Sequence, residues 1–162
     1  MPGVGKTTIA RELARQLEAV HLRIDSIEHA IRACGAAPEP MDDAGYRVAY
    51  AVAGDNLRLG RTVIADSVNP LPVTRDAWVE VANNARSAVV ECEIICSDLE
   101  EHKRRVGART ADLPGSTSPT WQEVVTRDYR PWDRERVVID TARRSVDESV
   151  KTLIEHLRPA IW

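Results

Sequence analysis

The chain has no apolar run near the roughly 18 residues that would cross a bilayer, so no membrane span is expected. It is poor in cysteine. Cys34, Cys92 and Cys96 are odd in number and have no close pairing, which excludes a disulfide framework. No Cys/His pair completes a zinc pattern, and the four histidines are scattered (His21, His29, His102, His156), so none is assigned to catalysis. Cys92 and Cys96 fall in an apolar run and read as small core residues in a reducing compartment, so a cytoplasmic location is expected. There is no basic excess: the formal charge is −3, which argues against a nucleic-acid partner. Repeats, linkers and low-complexity segments are absent, and Met1 opens directly on a glycine-rich stretch rather than on a leader.

What is present is an ordinary globular composition, with 43% hydrophobic and 29% charged residues in 162. That length suits one domain, residues 1–162. The chain is organised around Pro2-Gly3-Val4-Gly5-Lys6-Thr7-Thr8. Gly3 and Gly5 let the backbone turn tightly and approach a ligand. Ile9, Leu13 and Leu17 then recur at helical spacing. Glycines just before a helix N-terminus aim free N–H groups and the positive end of the helix dipole at one point, which suits phosphate. This is the tail of the P-loop pattern G-x-x-x-x-G-K-[ST]. Its first glycine would precede Met1, and so would the strand that leads into such loops. Two competing readings fare worse. One is a glycine-rich tail running into a helix. The other is a dinucleotide fingerprint with Asp25 some twenty residues on, but Thr8 occupies its third glycine position and Lys6 suits a phosphate clamp better.

Further along, strands are expected at Val20–Ile24, Arg61–Asp66, Ala88–Cys96 and Arg136–Asp140. Helices are expected at Lys6–Leu17, Asp25–Arg32, Asp43–Leu59, Thr74–Ala85, from the Ser97-x-x-Glu100 cap to Arg109, from Thr120, and from the Ser145-x-x-Glu148 cap to Leu157. Strands alternating with helices imply a mostly parallel sheet covered on both faces, hence an α/β fold in three layers. Residues 110–119, rich in Thr, Ser, Gly and Pro, read as the loop of a lid spanning about 105–127.

The residue types then suggest roles. Gly3, Val4, Gly5, Lys6, Thr7 and Thr8 would cradle the phosphates of ATP, Lys6 reaching the β- and γ-groups and Thr8 the α-group. Thr7 and the strand-end Asp66 would hold Mg²⁺, or Asp66 would be a helix-cap or turn acid. Asp25, also at a strand end, would accept an acceptor hydroxyl's proton, cap the helix it opens, or do both. Arg105 and Arg109 lie on one helix face and would either stabilise the moving phosphoryl group or form a solvated basic face; Arg75 and Arg127 are weaker candidates of the same type.

In this order the motifs resemble P-loop small-molecule kinases catalogued as AAA-family ATPases, a group similar to zeta toxin, chloramphenicol phosphotransferase and polynucleotide kinase. Residues 2–8 match their loop, and Ile24-Asp25 matches the strand-end aspartate that acts as base. Asp66-Ser67-Val68-Asn69, with Arg75 beyond, is similar to their Asp-x-x-Asn segment and downstream arginine, and Arg105 to Arg109 resembles the arginine pair that opens the lid. The resemblance implies a nucleoside-kinase-like P-loop fold, ATP with Mg²⁺ as cofactors, and transfer of the γ-phosphate to a small-molecule hydroxyl, with Asp25, Asn69 and Arg75 on the acceptor. The rivals are a nucleotide-dependent ATPase switch without an acceptor and a polynucleotide 5′-hydroxyl kinase. It also implies a strand before the loop, central in the sheet. The expectation is therefore that Met1 is a misplaced start or a truncation, that the natural chain begins some ten residues earlier, and that this chain shows four parallel strands with an empty central slot or a substitute strand.

Overall fold

The computed structural model describes residues 1–35, 43–110, 113–114 and 117–161, with the backbone alone for 158–161. In chain order the elements are α1 (Lys6–Leu17), β1 (Val20–Arg23), α2 (Ile24–Ala33), α3 (Ala44–Arg58), β2 (Val63–Asp66), α4 (Pro72–Asn84), β3 (Cys92–Ile95), α5 (Leu99–Ala108), α6 (Trp121–Val125), β4 (Val137–Asp140) and α7 (Val146–Ile161). β1 pairs in parallel with β2, Val20 opposite Val63 through Arg23 opposite Asp66. β3 pairs in parallel with β4, Cys92 opposite Val137 through Ile95 opposite Asp140. Between these two pairs no ladder joins β2 to β3 among the described residues. A cavity of about 280 Å³ fills the interval, so the expected empty central slot is present.

The halves share one apolar core. Ile9 and Leu13 of α1 pack with Ile139 of β4 and with Val150 and Leu153 of α7, and Ile64 and Ile94 close on them from β2 and β3. On the other face α3 packs on α4 and on β1 and β2. α3 approaches through small residues, Gly45, Ala49, Ala53 and Gly54, all buried. The capping boxes at Thr120/Glu123 and Ser145/Glu148 form as their spacing predicts.

Three expectations are corrected. β1 stops at Arg23, so Asp25 lies in the first turn of α2 and does not cap it; no side chain caps that helix. α5 is capped by Asp98, which accepts from the Glu101 amide, and not by Ser97. β3 covers only four of the nine residues expected, because its ladder with β4 runs only from Cys92 opposite Val137 to Ile95 opposite Asp140. The lid loop expected at 110–119 falls partly outside the described residues, which omit 111–112 and 115–116.

Arg75 is also corrected. Expected near an acceptor, it is 1% exposed. Its Nε donates to the Asn69 carbonyl at 3.0 Å, Nη1 to Pro131 at 3.2 Å, and Nη2 to Arg130 at 2.6 Å and to Pro70 at 3.3 Å. The guanidinium stacks on Trp132, with 4.2 Å to the ring centroid. A planar fork is suited to this: it ties the loop after β2 to the segment before β4, and four of its five N–H donors are spent on these carbonyls. The same segment is held to β3 by Tyr129 and Arg136, both bonded to Glu93, and by Arg134 bonded to Glu91.

Candidate active site

The glycine loop is built as its composition requires. Gly3 and Gly5 have φ of 79° and 93°, left-handed values that favour glycine. A Cβ on Gly3 would lie 2.5 Å from Cγ2 of Val106, so α5 also demands the bare backbone there. Val4 points into the core at 2% exposure and anchors the loop. His102 donates from Nε2 to the Pro2 carbonyl at 2.7 Å, its ring edge-on to Trp121. The Thr141 hydroxyl lies 3.0 Å from both the Val4 and Ile95 carbonyls, joining the loop to the ends of β3 and β4. α1 then begins at Lys6, with its N-terminal amides open and no side-chain cap.

Beside the loop lies a cavity of about 560 Å³. Its walls carry Lys6, Arg11, Arg105, Arg109 and Arg144, with hydroxyls from Thr7, Thr8, Thr110, Thr141, Ser145 and Ser149, and no carboxylate among the described residues. Such a wall attracts a polyanion. Arg105 is held in place by Glu101 at 2.6 Å and by the hydroxyl and carbonyl of Thr141 at 2.8 and 3.0 Å.

The acids gather on the other side of Lys6. Asp66, buried at the end of β2, and Asp25 both act electrostatically on the ammonium, as do Arg109 and Arg23. Burial is the largest influence on Lys6 and holds its pKa below the usual lysine value; the two aspartates oppose that shift and the arginines add to it. His21 Nε2 approaches Asp66 Oδ2 at 3.4 Å, and Arg23 Nη2 approaches Asp25 Oδ2 at the same distance. Asp25 stays half exposed. Nearby, burial raises the Tyr46 pKa, while Glu28 and Asp25 add to the rise and the Asn69 backbone and Ser67 hydroxyl oppose it. Ser67 Oγ is buried beside the Tyr46 hydroxyl, Asn69 Oδ1 is buried with no hydrogen-bond partner among the described residues, and Asn69 sits at a φ of 46°.

Thus Lys6, Asp25, Asp66, Arg105 and Arg109 lie about one another, Asn69 borders them, Arg75 is withdrawn into the structure, and Arg127 lies exposed on the surface. For a hard cation the fit is partial: Thr7 and Asp66 offer oxygen ligands, and among the described residues no cluster of three His, Cys, Asp or Glu could hold a metal alone. That suits Mg²⁺ bound largely through substrate phosphates and water. Sequence reasoning missed Arg11, Arg144 and Thr141, whose meeting depends on β4 ending beside the loop. It also missed His21 and Arg23, where the strand's period-two alternation was the available signal.

The sequence profile of the AAA domain family matches residues 1–127. No functionally curated protein matches. Solved structures do: the APS kinase of Mycobacterium tuberculosis, in complex with AMPPNP and APS, is similar at a TM-score of 0.73 and 21% identity over 98% of this chain and 93% of that one. A sugar kinase from a Janibacter species is similar at a TM-score of 0.63 and 19% identity over 99% and 93%. APE1195 is similar at 0.74 and 22% over 100% and 92%. The fold is that of P-loop kinases, and the chain belongs to the AAA domain family.

Proposed function

We propose that the chain transfers the γ-phosphate of ATP to a hydroxyl of a small-molecule acceptor. The observation that carries this is the division of charge about Lys6. A cationic cavity, without carboxylates among the described residues, lies on one side, fit for a polyphosphate, and the carboxylates Asp25 and Asp66 lie on the other. The nucleotide's phosphates lie along residues 3–8 at the N-terminus of α1. Thr7 and Asp66 would hold Mg²⁺, which would supply charge neutralisation for the phosphates. Asp25 orients the acceptor hydroxyl and takes its proton as oxygen attacks γ-phosphorus. The bond to the bridging oxygen of ADP breaks in line, and Lys6, Arg105 and Arg109 stabilise the charge that spreads.

The acceptor side carries Asp25, Glu28 and Asp66, its buried Arg23 faces Asp25, and Asn69 Oδ1 has no partner among the described residues. We read this as a seat for an uncharged or cationic hydroxyl compound. A phosphorylation screen with γ-labelled ATP over sugars, amino alcohols and anionic alcohols tests the reading: label should pass to members of the first two groups. ATP hydrolysis unaffected by any acceptor would replace it with an ATPase switch.

A further inference from the structure

Phosphates laid along residues 3–8 take one part of the cavity beside the glycine loop. The rest of its wall comes from the end of α5, Ala108 to Thr110, and from Thr141, Arg144 and Ser145 in the turn between β4 and α7. A base carried by those phosphates meets this wall. To tell one base from another, a wall needs a fixed donor beside a fixed acceptor, because bases differ in the order of these groups along their edges. The turn has spent its donors on its own structure. The Thr141 amide donates to the Ile95 carbonyl at 2.9 Å, and the Ala142 amide to Asp140 Oδ1 at 3.0 Å. The Arg143 amide donates to Glu101 Oε2 at 3.0 Å, the Arg144 amide to the Thr141 carbonyl at 3.3 Å, and the Ser145 amide to Glu148 Oε2 at 2.8 Å. The hydroxyls are engaged too. Ser145 Oγ donates to Glu148 Oε2 at 2.7 Å, and Ser149 Oγ to the Ser145 carbonyl at 2.9 Å. Thr141 Oγ1 lies against the carbonyls of Val4 and Ile95.

We propose that this wall holds a base by its flat face and reads none of its edges, so that purine and pyrimidine ribonucleoside triphosphates all serve as phosphate donor; this rests on the donor reading given above. Three observations support it. First, among the described residues the wall carries no Asn, Gln, Asp or Glu side chain, the types that pair with base edges. Second, what it does present is the guanidinium groups of Arg109, at the end of α5, and Arg144, in the turn. A guanidinium plane stacks on any aromatic face, and every base has one. The amides that open α7, Val146 and Asp147, add donors alone, and every base carries an acceptor to meet one. Third, the turn is fixed. Glu101 holds the Arg143 amide through one carboxylate oxygen and Arg105 through the other, at 2.6 Å. Swinging the turn's amides toward a base would therefore unseat a residue that the proposed transfer needs.

The test is calorimetric binding to the full chain, with Mg²⁺ and without acceptor. The probes are the β,γ-imido triphosphates of adenosine, guanosine, cytidine and uridine, with tripolyphosphate as the probe that has no base. The four dissociation constants should lie within about tenfold of one another, and tripolyphosphate should bind about tenfold or more weaker than each, as the loss of one stacked base implies. A site that read an edge would separate the four by about 10⁴-fold or more. One nucleotide binding more than about a hundredfold tighter than the other three therefore overturns the proposal. Tripolyphosphate binding as tightly as the nucleotides overturns it too, because the wall then holds no base. Label transfer from the four γ-labelled triphosphates to the best acceptor separates this inference from the activity it rests on. Equal binding of all four with no transfer from any removes the proposed transfer and leaves the indifferent seat standing. Transfer from ATP with kcat/KM more than about a hundredfold lower for GTP, CTP and UTP keeps the activity and removes this inference. If none of the probes binds, both fall.

Discussion

Replacing Arg75 by lysine keeps the charge and most of the length but removes the planar fork. The guanidinium serves four carbonyls on two loops, Asn69 and Pro70 after β2 and Arg130 and Pro131 before β4, and lies flat on Trp132. An ammonium gathers its donors at one point and cannot span both loops, so at least two of the four bonds are lost. Hydrogen bonds to charged groups contribute about 1.5–3 kcal/mol each, and the stacking adds about 0.5–2 kcal/mol. The expected loss is therefore roughly 4 kcal/mol, a large share of the about 5–15 kcal/mol that holds a domain together. At about 2–4 °C per kcal/mol for a chain of this size, the melting temperature should fall by roughly 8–16 °C. The assay is urea unfolding with thermal melts, paired with ATP affinity and transfer activity measured well below the transition. Activity per folded molecule should stay within about twofold of wild type. Unchanged stability with transfer reduced more than about tenfold would refute the reasoning, and would return Arg75 to the acceptor.

Three further outcomes follow from the site. Lys6→Ala should lower ATP turnover by about a hundredfold or more, since one preorganised charge at a reacting phosphate contributes that much; circular dichroism should be unchanged, and near-normal turnover would remove the phosphate assignment. Thr141→Val keeps the shape but deprives the Val4 and Ile95 carbonyls of their hydroxyl and Arg105 of an acceptor; we expect stability to fall by about 1–3 kcal/mol and nucleotide affinity to fall with it, so an unchanged ATP affinity would show that the loop does not depend on this tie. Asp140 is held below the ordinary carboxylate value chiefly by the Ser97 hydroxyl, with the Ala142 and Ser97 amides adding to it. Its ionised form therefore supports the fold above the ordinary value of 3.8, and that support is lost as the pH falls through the lower folded-state value. The urea midpoint should drop below about pH 4, less steeply in Asp140→Asn, and superimposable profiles would contradict the assignment.

Much of this was legible because it is local. Glycine, lysine and hydroxyl residues at fixed offsets before an apolar period of 3.6 specify the loop and α1, and that helix spans the residues its pattern predicts. The capping boxes at Thr120 and Ser145 are also spacing rules. What failed was non-local. An arginine soon after a strand-end motif has the same sequence signature whether it meets a ligand or four carbonyls, two of them from residues more than fifty positions away. The run 88–96 has strand composition throughout, but a strand also needs a partner, and only residues 92–95 have one. Lys6 and Asp66 are near in space because β2 lies beside α1, a fact of topology that the alternation of elements predicts. Arg11 and Arg144 gave no such signal, each looking like an ordinary surface charge.

The central claim is that the two sides of Lys6 do different work, phosphate on one and acceptor on the other. Asp25→Asn tests it most directly, with nucleotide binding and phosphoryl transfer measured on the same protein. The account predicts that ATP affinity changes by less than about threefold while transfer to the best acceptor of the screen falls at least about a hundredfold, as general-base loss implies. Parallel loss of affinity and transfer, or full transfer without the carboxylate, would contradict it.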